Sequence, residues 1–281
     1  MKKNLKQWAA ATVVAAAGVG VAHAQDGKLS NDVLRIGVLT DISGVYADIS
    51  GKGAVEAVKM AVEDFGGKMF GKPIDVVFAD HQNKADVGAA KAREWYDSGN
   101  VDMINDLANS GVALAVAGVA KEKKRHAIVN NASNVGVTNA QCSPYTVHYA
   151  YDAYSLANGT GRSIVEGGGD TWFFLTVDFA FGIGLEQQVG DVVRANKGRV
   201  VGAARHPLGT TDFSSYVLQA QASKAKIIGL ASTGNDTINA IKAANEFGVT
   251  KNQKLAALLL WINDVHALGL PTAQGLQLTN A

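Results

Sequence analysis

At 281 residues the chain is long enough for about two domains of ~100–200 residues each. Hydrophobic residues make up 47% and charged residues 18%, an ordinary globular balance that excludes a disordered or fibrous chain. A formal net charge of +1 supplies no field to gather nucleic acid or anionic lipid, so neither is expected as a partner.

The first residues form a separate unit. Lys2, Lys3 and Lys6 precede an apolar run over 8–21, and Ala22-His23-Ala24 follows. Basic, apolar and then small residues are the pattern of a secretory signal, and the run is shorter than the ~20 residues a membrane span needs. Residues 1–24 are therefore expected to be a signal peptide, with cleavage after Ala24. Cys142 is the only cysteine, so no intrachain disulfide can form. Export without disulfides points to a bacterial periplasm.

Beyond residue 28, short β-branched runs alternate with longer apolar-periodic ones. Strands are predicted at 33–39, 74–79, 101–104 and 127–129, and helices at 51–64, 86–98 and 110–121. A Ser143-Pro144 turn and an extended run over 145–149 interrupt the series. It restarts with helices at 153–166, 184–196, 213–223 and 236–247 and strands at 171–177, 199–205, 227–230 and 255–259. The expectation is α/β: two Rossmann-like lobes, each a parallel sheet flanked by helices. The first lobe takes residues 26–148 and the second 149–274, while 275–281 begin a crossover back to the first. The stretch from Gly269 onward reads as a turn and one extended run with no covering helix, as in a chain truncated at its C-terminus.

Enzyme motifs are lacking. A dinucleotide fingerprint needs three spaced glycines, but after Gly51 and Gly53 the third position is Glu56, whose carboxylate would face the phosphates. The Walker A pattern fails too, because Gly51-Lys52 is followed by Gly53. The histidines are scattered and none is paired at i, i+4, so no metal site is indicated. G-x-S-x-G is absent and nothing in the sequence activates Cys142. No catalytic residue, metal or cofactor is expected.

The loops at the strand ends are rich in small polar and aromatic residues instead. Ser43 and Tyr46 follow the first strand. Ser110 opens a helix after the third, and Ala132 and Ser133 follow the fourth. A helix N-terminus and serine hydroxyls could hold a carboxylate without any lysine or arginine. Phe179 and Phe181 could wall an apolar ligand, and Asp236 could receive an ammonium. Each has a plainer reading as well: Ser110 as an N-cap, Ser133 as a turn residue, the phenylalanines as core, and Asp236 as a carboxylate stabilising its own helix.

Four stretches, "IGVLTDISGVYADISG", "DLANSGVALAVAGVAKEKK", "TVDFAFGIGLEQQV" and "ASTGNDTINAIKAANEFG", resemble the type I periplasmic solute-binding proteins of ABC transporters, in the leucine/isoleucine/valine-binding branch. The likeness runs from about Leu34 to the end, and members of that family usually continue well past the length of this chain. It implies two lobes closing on a small ligand, an amino acid or related carboxylate, for delivery by a monomer to a transporter permease. It further implies that Ser110, Ala132 and Ser133 grip the carboxylate and Asp236 the ammonium. Phe181 stands where many relatives have tyrosine, which leaves room for a more apolar or aromatic acid. A ligand-sensing module for a receptor, and an enzyme on the same scaffold, are the competing expectations.

Overall fold

The computed structural model describes Leu29 and residues 31–149 and 151–280; the expected signal peptide lies outside the described residues. The first half runs β1 (Leu34–Thr40), α1 (Gly51–Asp64), β2 (Lys68–Met69), β3 (Lys72–Asp80), α2 (Ala85–Asp97), β4 (Met103–Asp106), α3 (Ser110–Lys123), β5 (His126–Val129) and β6 (Thr146–His148). The second runs α4 (Ala153–Leu156), α5 (Arg162–Glu166), β7 (Thr171–Val177), α6 (Ala180–Ala195), β8 (Arg199–His206), α7 (Ser214–Ala222), β9 (Ile227–Ala231), α8 (Asn235–Glu246), β10 (Lys254–Ala257), α9 (Ile262–Leu268), α10 (Leu270–Ala273) and β11 (Gln277–Leu278).

These strands form a six-stranded sheet in the order β2-β3-β1-β4-β5-β6 and a five-stranded sheet in the order β11-β10-β9-β7-β8. Every described pairing is parallel except β2 with β3. That exception is a two-residue hairpin unmarked in the hydrophobic pattern. Its turn needs positive φ at both central residues, supplied by Phe70 at 50° and Gly71 at 78°.

Crossover handedness decides what covers each face. The step from β1 to β3 runs one way along the first sheet, and β3 to β4 to β5 runs the other. Right-handed connections therefore put α1 on one face and α2 and α3 on the opposite one. The α2–α3 face holds a core of Leu39, Trp95, Tyr96, Ile104, Val112 and Val116. On the α1 face the row Phe78, Val38, Asn105, Ile128, Val147 crosses the sheet. Val38 is fully buried, while Phe78 is 54% and Val147 50% exposed at the two ends. The second sheet is sandwiched fully: Trp172 and Phe174 pack with Leu185 and Val189 on one face, and Phe173 and Leu175 with Val217 and Ile241 on the other.

Besides the β2–β3 hairpin and the unexpected helix α9, three segments differ from expectation. The helix predicted over 153–166 is α4 and α5 joined by a π-helical turn, Ala157–Gly161, in which an extra residue widens the coil. The helix predicted from 184 begins at Ala180, so Phe181 and Gly182 lie in its first turn and Phe179 at its N-cap. A Cβ at Gly182 would stand 2.2 Å from the Val177 carbonyl oxygen, so only glycine lets α6 start this close to β7. The stretch after Gly269 contains α10 as well as an extended run. Gln277–Leu278, expected to start a crossover, pairs with Ala256–Ala257 at the edge of the second sheet. Among the described residues no helix is long and apolar enough to cross a membrane.

Candidate functional site between the lobes

The carboxyl ends of β1, β4 and β5 in one lobe and of β7, β9 and β10 in the other give rise to the loops that meet between the lobes, where open parallel sheets bind their ligands. Contacts join the two sides directly. Asn134 Nδ2 donates to the Ala180 carbonyl at 2.7 Å, and the rings of Tyr46 and Phe179 lie 6.4 Å apart.

Tyr46 is placed by its own loop. The Asp41 carboxylate accepts from the backbone N–H of Gly44 and of Tyr46, each at 2.8 Å, and from the side chain of Asn83. Asn83 in turn accepts from Asn109 Nδ2 at 3.3 Å. Asn83 and its neighbour Gln82 both adopt left-handed backbone, at φ 54° and 53°. One network therefore ties the Tyr46 loop to the start of α3.

The start of α3 separates the two readings of Ser110. Asn109 is the N-cap; its side chain accepts from Gly111 N at 2.8 Å and Val112 N at 3.2 Å. Ser110 is thereby free of capping, is only 2% exposed, and its hydroxyl has no hydrogen-bond partner among the described residues. The turn that delivers it is strained: Asp106 and Leu107 have φ of 85° and 62°. Leucine rarely adopts that conformation, which costs on the order of 1–3 kcal/mol and must be held by its surroundings. Here the Leu107 N–H donates to Leu39 O, and buried Asp106 accepts from Ser50 Oγ at 2.5 Å.

Tyr46, Ser110, Phe179 and Phe181 line one narrow cavity, together with Tyr151, Asn131, Thr233, Ile49, Ala108 and Leu259, with a free volume of about 10 Å³, room for about one water. The hydroxyls of Tyr46, Ser110 and Thr233 are all buried and have no hydrogen-bond partner among the described residues. Burial pushes the Tyr46 phenol well above its ordinary range, and the negative charge of Asp236 adds to the effect. Unsatisfied buried hydroxyls cost free energy, so three around one small cavity mark groups waiting for a partner. Tyr151 is anchored through its own hydroxyl, which donates to both oxygens of Asn131 at 3.0 and 2.9 Å. Wider hollows on the second lobe, around Lys226 and Gln277 and between Ile241 and Leu276, do not touch the first lobe.

The remaining candidates lie elsewhere. Ser43 is exposed and donates to Asp80 Oδ2 at 2.6 Å, fastening a turn rather than facing the cavity. Ala132 and Ser133 are buried beside the lining but outside it. The Ala132 carbonyl accepts from His148 Nε2 at 2.6 Å, the Ser133 carbonyl accepts from Ala153 N at 2.7 Å, and the Ser133 hydroxyl is unpartnered. Asp236, 2% exposed, accepts from Gly209 N with both oxygens, at 3.1 and 3.2 Å, and does not line the cavity. His206 Nδ1 lies 3.8 Å from it, and burial lowers the imidazole's affinity for a proton, which weakens any charge pairing between the two. Sequence reasoning missed Tyr151, Asn131 and Thr233 as lining residues. Asn131 and Thr233 sat in strand-end loops already noted as polar; Tyr151 carried no signal. Among the described residues no cluster of His, Cys, Asp or Glu could hold a metal ion.

A family model described as "Periplasmic binding protein" matches residues 33–281. The chain belongs to that family. This periplasmic binding protein is similar to a crystal structure of a periplasmic binding protein from Burkholderia mallei, with 62% identity, a TM-score of 0.86, and coverage of 87% of this chain and 65% of that one. It is also similar to a branched-chain amino acid ABC transporter periplasmic ligand-binding protein from Burkholderia xenovorans LB400, at 40% identity and TM-score 0.72 over 87% of this chain and 66% of that one. A solute-binding protein from R. palustris in complex with 4-hydroxybenzoate shares 26% identity at TM-score 0.73, over 83% and 62%. Among curated proteins, a Leu/Ile/Val-binding protein homologue from Brucella melitensis is 24% identical over 78% of this chain and 56% of its own length. The chain thus spans about half the length of the curated relatives it matches and about two thirds of the solved ones.

Proposed function

We propose that this periplasmic binding protein captures a small carboxylate, an amino acid or a related organic acid, between its lobes and delivers it to an ABC importer. The observation that carries the reading is the interlobe cavity with the unpartnered, buried hydroxyls of Tyr46, Ser110 and Thr233. A carboxylate taken out of water needs donors around it. Hydroxyls from both lobes and the positive end of α3 supply them without a lysine or arginine. Contacts made by only one of two conformations shift a population toward it, so a ligand that bridges Ser110 and Thr233 favours the closed form. The branched-chain amino acids of the Burkholderia xenovorans relative's transporter class and the 4-hydroxybenzoate bound by the R. palustris protein all carry a carboxylate. The expected signal peptide and the family both favour a periplasmic location and a permease as partner.

The test is a thermal-shift screen of amino acids, aromatic acids and short dicarboxylates, followed by calorimetry on any hit. Ser110→Ala is expected to weaken a bound carboxylate by about 1–3 kcal/mol. A hit whose affinity is unchanged in this variant places the carboxylate elsewhere, and a screen with no hit rejects the reading.

A further inference from the structure

We propose that Asp236 is a positioning residue for closure of the cleft: it holds the Gly209 turn of the second lobe in the shape that receives Val45 of the first. Closure of this kind is independent of which ligand the cleft takes. Asp236 is 2% exposed, and both its oxygens accept from the Gly209 N–H, at 3.1 and 3.2 Å. A carboxylate taken out of water is expensive unless donors meet it, so the charge and the turn fix each other in place. The turn is tied down on both sides of Gly209. The Pro207 carbonyl accepts from Thr210 Oγ1 at 2.7 Å, and the Thr210 carbonyl accepts from Asn239 Nδ2 at 3.3 Å. Asn239 and Asp236 are three residues apart on α8, so one face of that helix carries the turn.

The surface this turn presents is bare backbone. Gly209 has φ of 80°, and a Cβ there would stand 3.5 Å from Cγ1 of Val45. Gly234, just before α8, has φ of 61°, and a Cβ there would stand 3.7 Å from the Val45 carbonyl oxygen. Two glycines in conformations that side chains rarely adopt thus form a notch, and Val45 fills it with both side chain and backbone. Val45 is aimed there by the Asp41 carboxylate, which accepts from the N–H groups of its neighbours Gly44 and Tyr46, each at 2.8 Å. Tyr46 rides with it, and its ring meets Phe179 of the second lobe at 6.4 Å. The contact of Val45 with the notch is van der Waals packing, and a gap of ~0.5–1 Å forfeits a quarter to a half of such attraction. Its strength therefore depends on where Asp236 holds Gly209.

Disulfide trapping on the full chain, without added ligand and at neutral pH, tests this. A Cβ at Gly184 of the second lobe would stand 3.9 Å from Asn134 Cγ of the first. Asn134→Cys with Gly184→Cys, in a Cys142→Ser chain, therefore forms a disulfide only when the lobes are shut. Asp236→Ala leaves the Gly209 N–H unpaired and is expected to slow the oxidation of this pair roughly fivefold or more. Asp236→Asn keeps an acceptor for that N–H and should stay within about twofold of the parent. Val45→Trp, too large for the notch, should slow oxidation as well, and Asp236→Ala should add no further slowing to it. Four results overturn the inference: no disulfide in the parent chain, an unchanged rate in Val45→Trp, a rate in Asp236→Asn as slow as in Val45→Trp, or losses that add in the combined variant. If Asp236→Ala does not fold, Val45→Trp and Asp236→Asn decide alone.

Discussion

The carboxyl of Asp236 lies in the first turn of α8, where a helix N-terminus favours its charge, yet burial dominates and pushes it up to about 6 from 3.8, with the Gly209 and Thr210 N–H groups offsetting only part. The folded chain thus holds this proton more tightly than the unfolded chain does between about pH 4 and 6. Stability from this group is greatest at low pH and falls as pH rises through that window, by on the order of 3 kcal/mol once it is ionised. His81 acts in the opposite sense. Burial pulls its imidazole down to about 4 from 6.5, so acidification through that range costs stability. The two slopes oppose each other across nearly the same pH range. Asp236→Asn removes one of them, and the expected outcome is a steeper loss of stability between pH 7 and pH 4.5 than in the wild type. Urea midpoints at the two pH values measure it, and parallel losses would count against the assignment.

Among the elements, α6 and the short 3-10 turn Val135–Val137 form a direct hydrogen-bonded contact across the cleft. Asn134 caps that turn by accepting from Gly136 N at 2.8 Å while its amide donates to Ala180 O at the head of α6. A single hydrogen bond contributes about 1 kcal/mol, so Asn134→Ala is expected to move the open–closed balance roughly fivefold toward the open form. Small-angle scattering should report a larger radius of gyration for the variant. Equal scattering curves would mean that the latch carries no weight. Much at this scale was legible in the sequence: strands and helices were found wherever period and punctuation were strong, as in α1, β7 and α8. The head of α6 was not, because Phe179 lacks the side-chain oxygen that marks a cap and Gly182 reads as a breaker when its task is close approach to Val177. That Asn109 rather than Ser110 caps α3 was equally hidden, since adjacent residues of similar propensity are told apart only by the Asn109 side chain's bonds to Gly111 N and Val112 N. Tyr151 reaches the cavity through a tertiary bond to Asn131, which no periodicity encodes.

For the molecule as a whole, the two sheets are unequally clothed. Parallel sheets ordinarily bury both faces. The second does, with packed clusters on either side, whereas among the described residues the first has α1 alone on one face, with Met60 of that helix 58% exposed and Phe78 and Val147 open at the ends of the row beneath. Fewer buried apolar contacts mean a lower free energy of local opening. Hydrogen exchange on warming should therefore strip protection from β1, β3 and β4 before β7 and β9; simultaneous loss in both lobes would contradict this. The softer half is the one that contributes Tyr46 and Ser110. Heat absorption by the free protein should then come in two steps, and a bound acid should lift the earlier step toward the later, so that a ligand announces itself by merging two melting events into one.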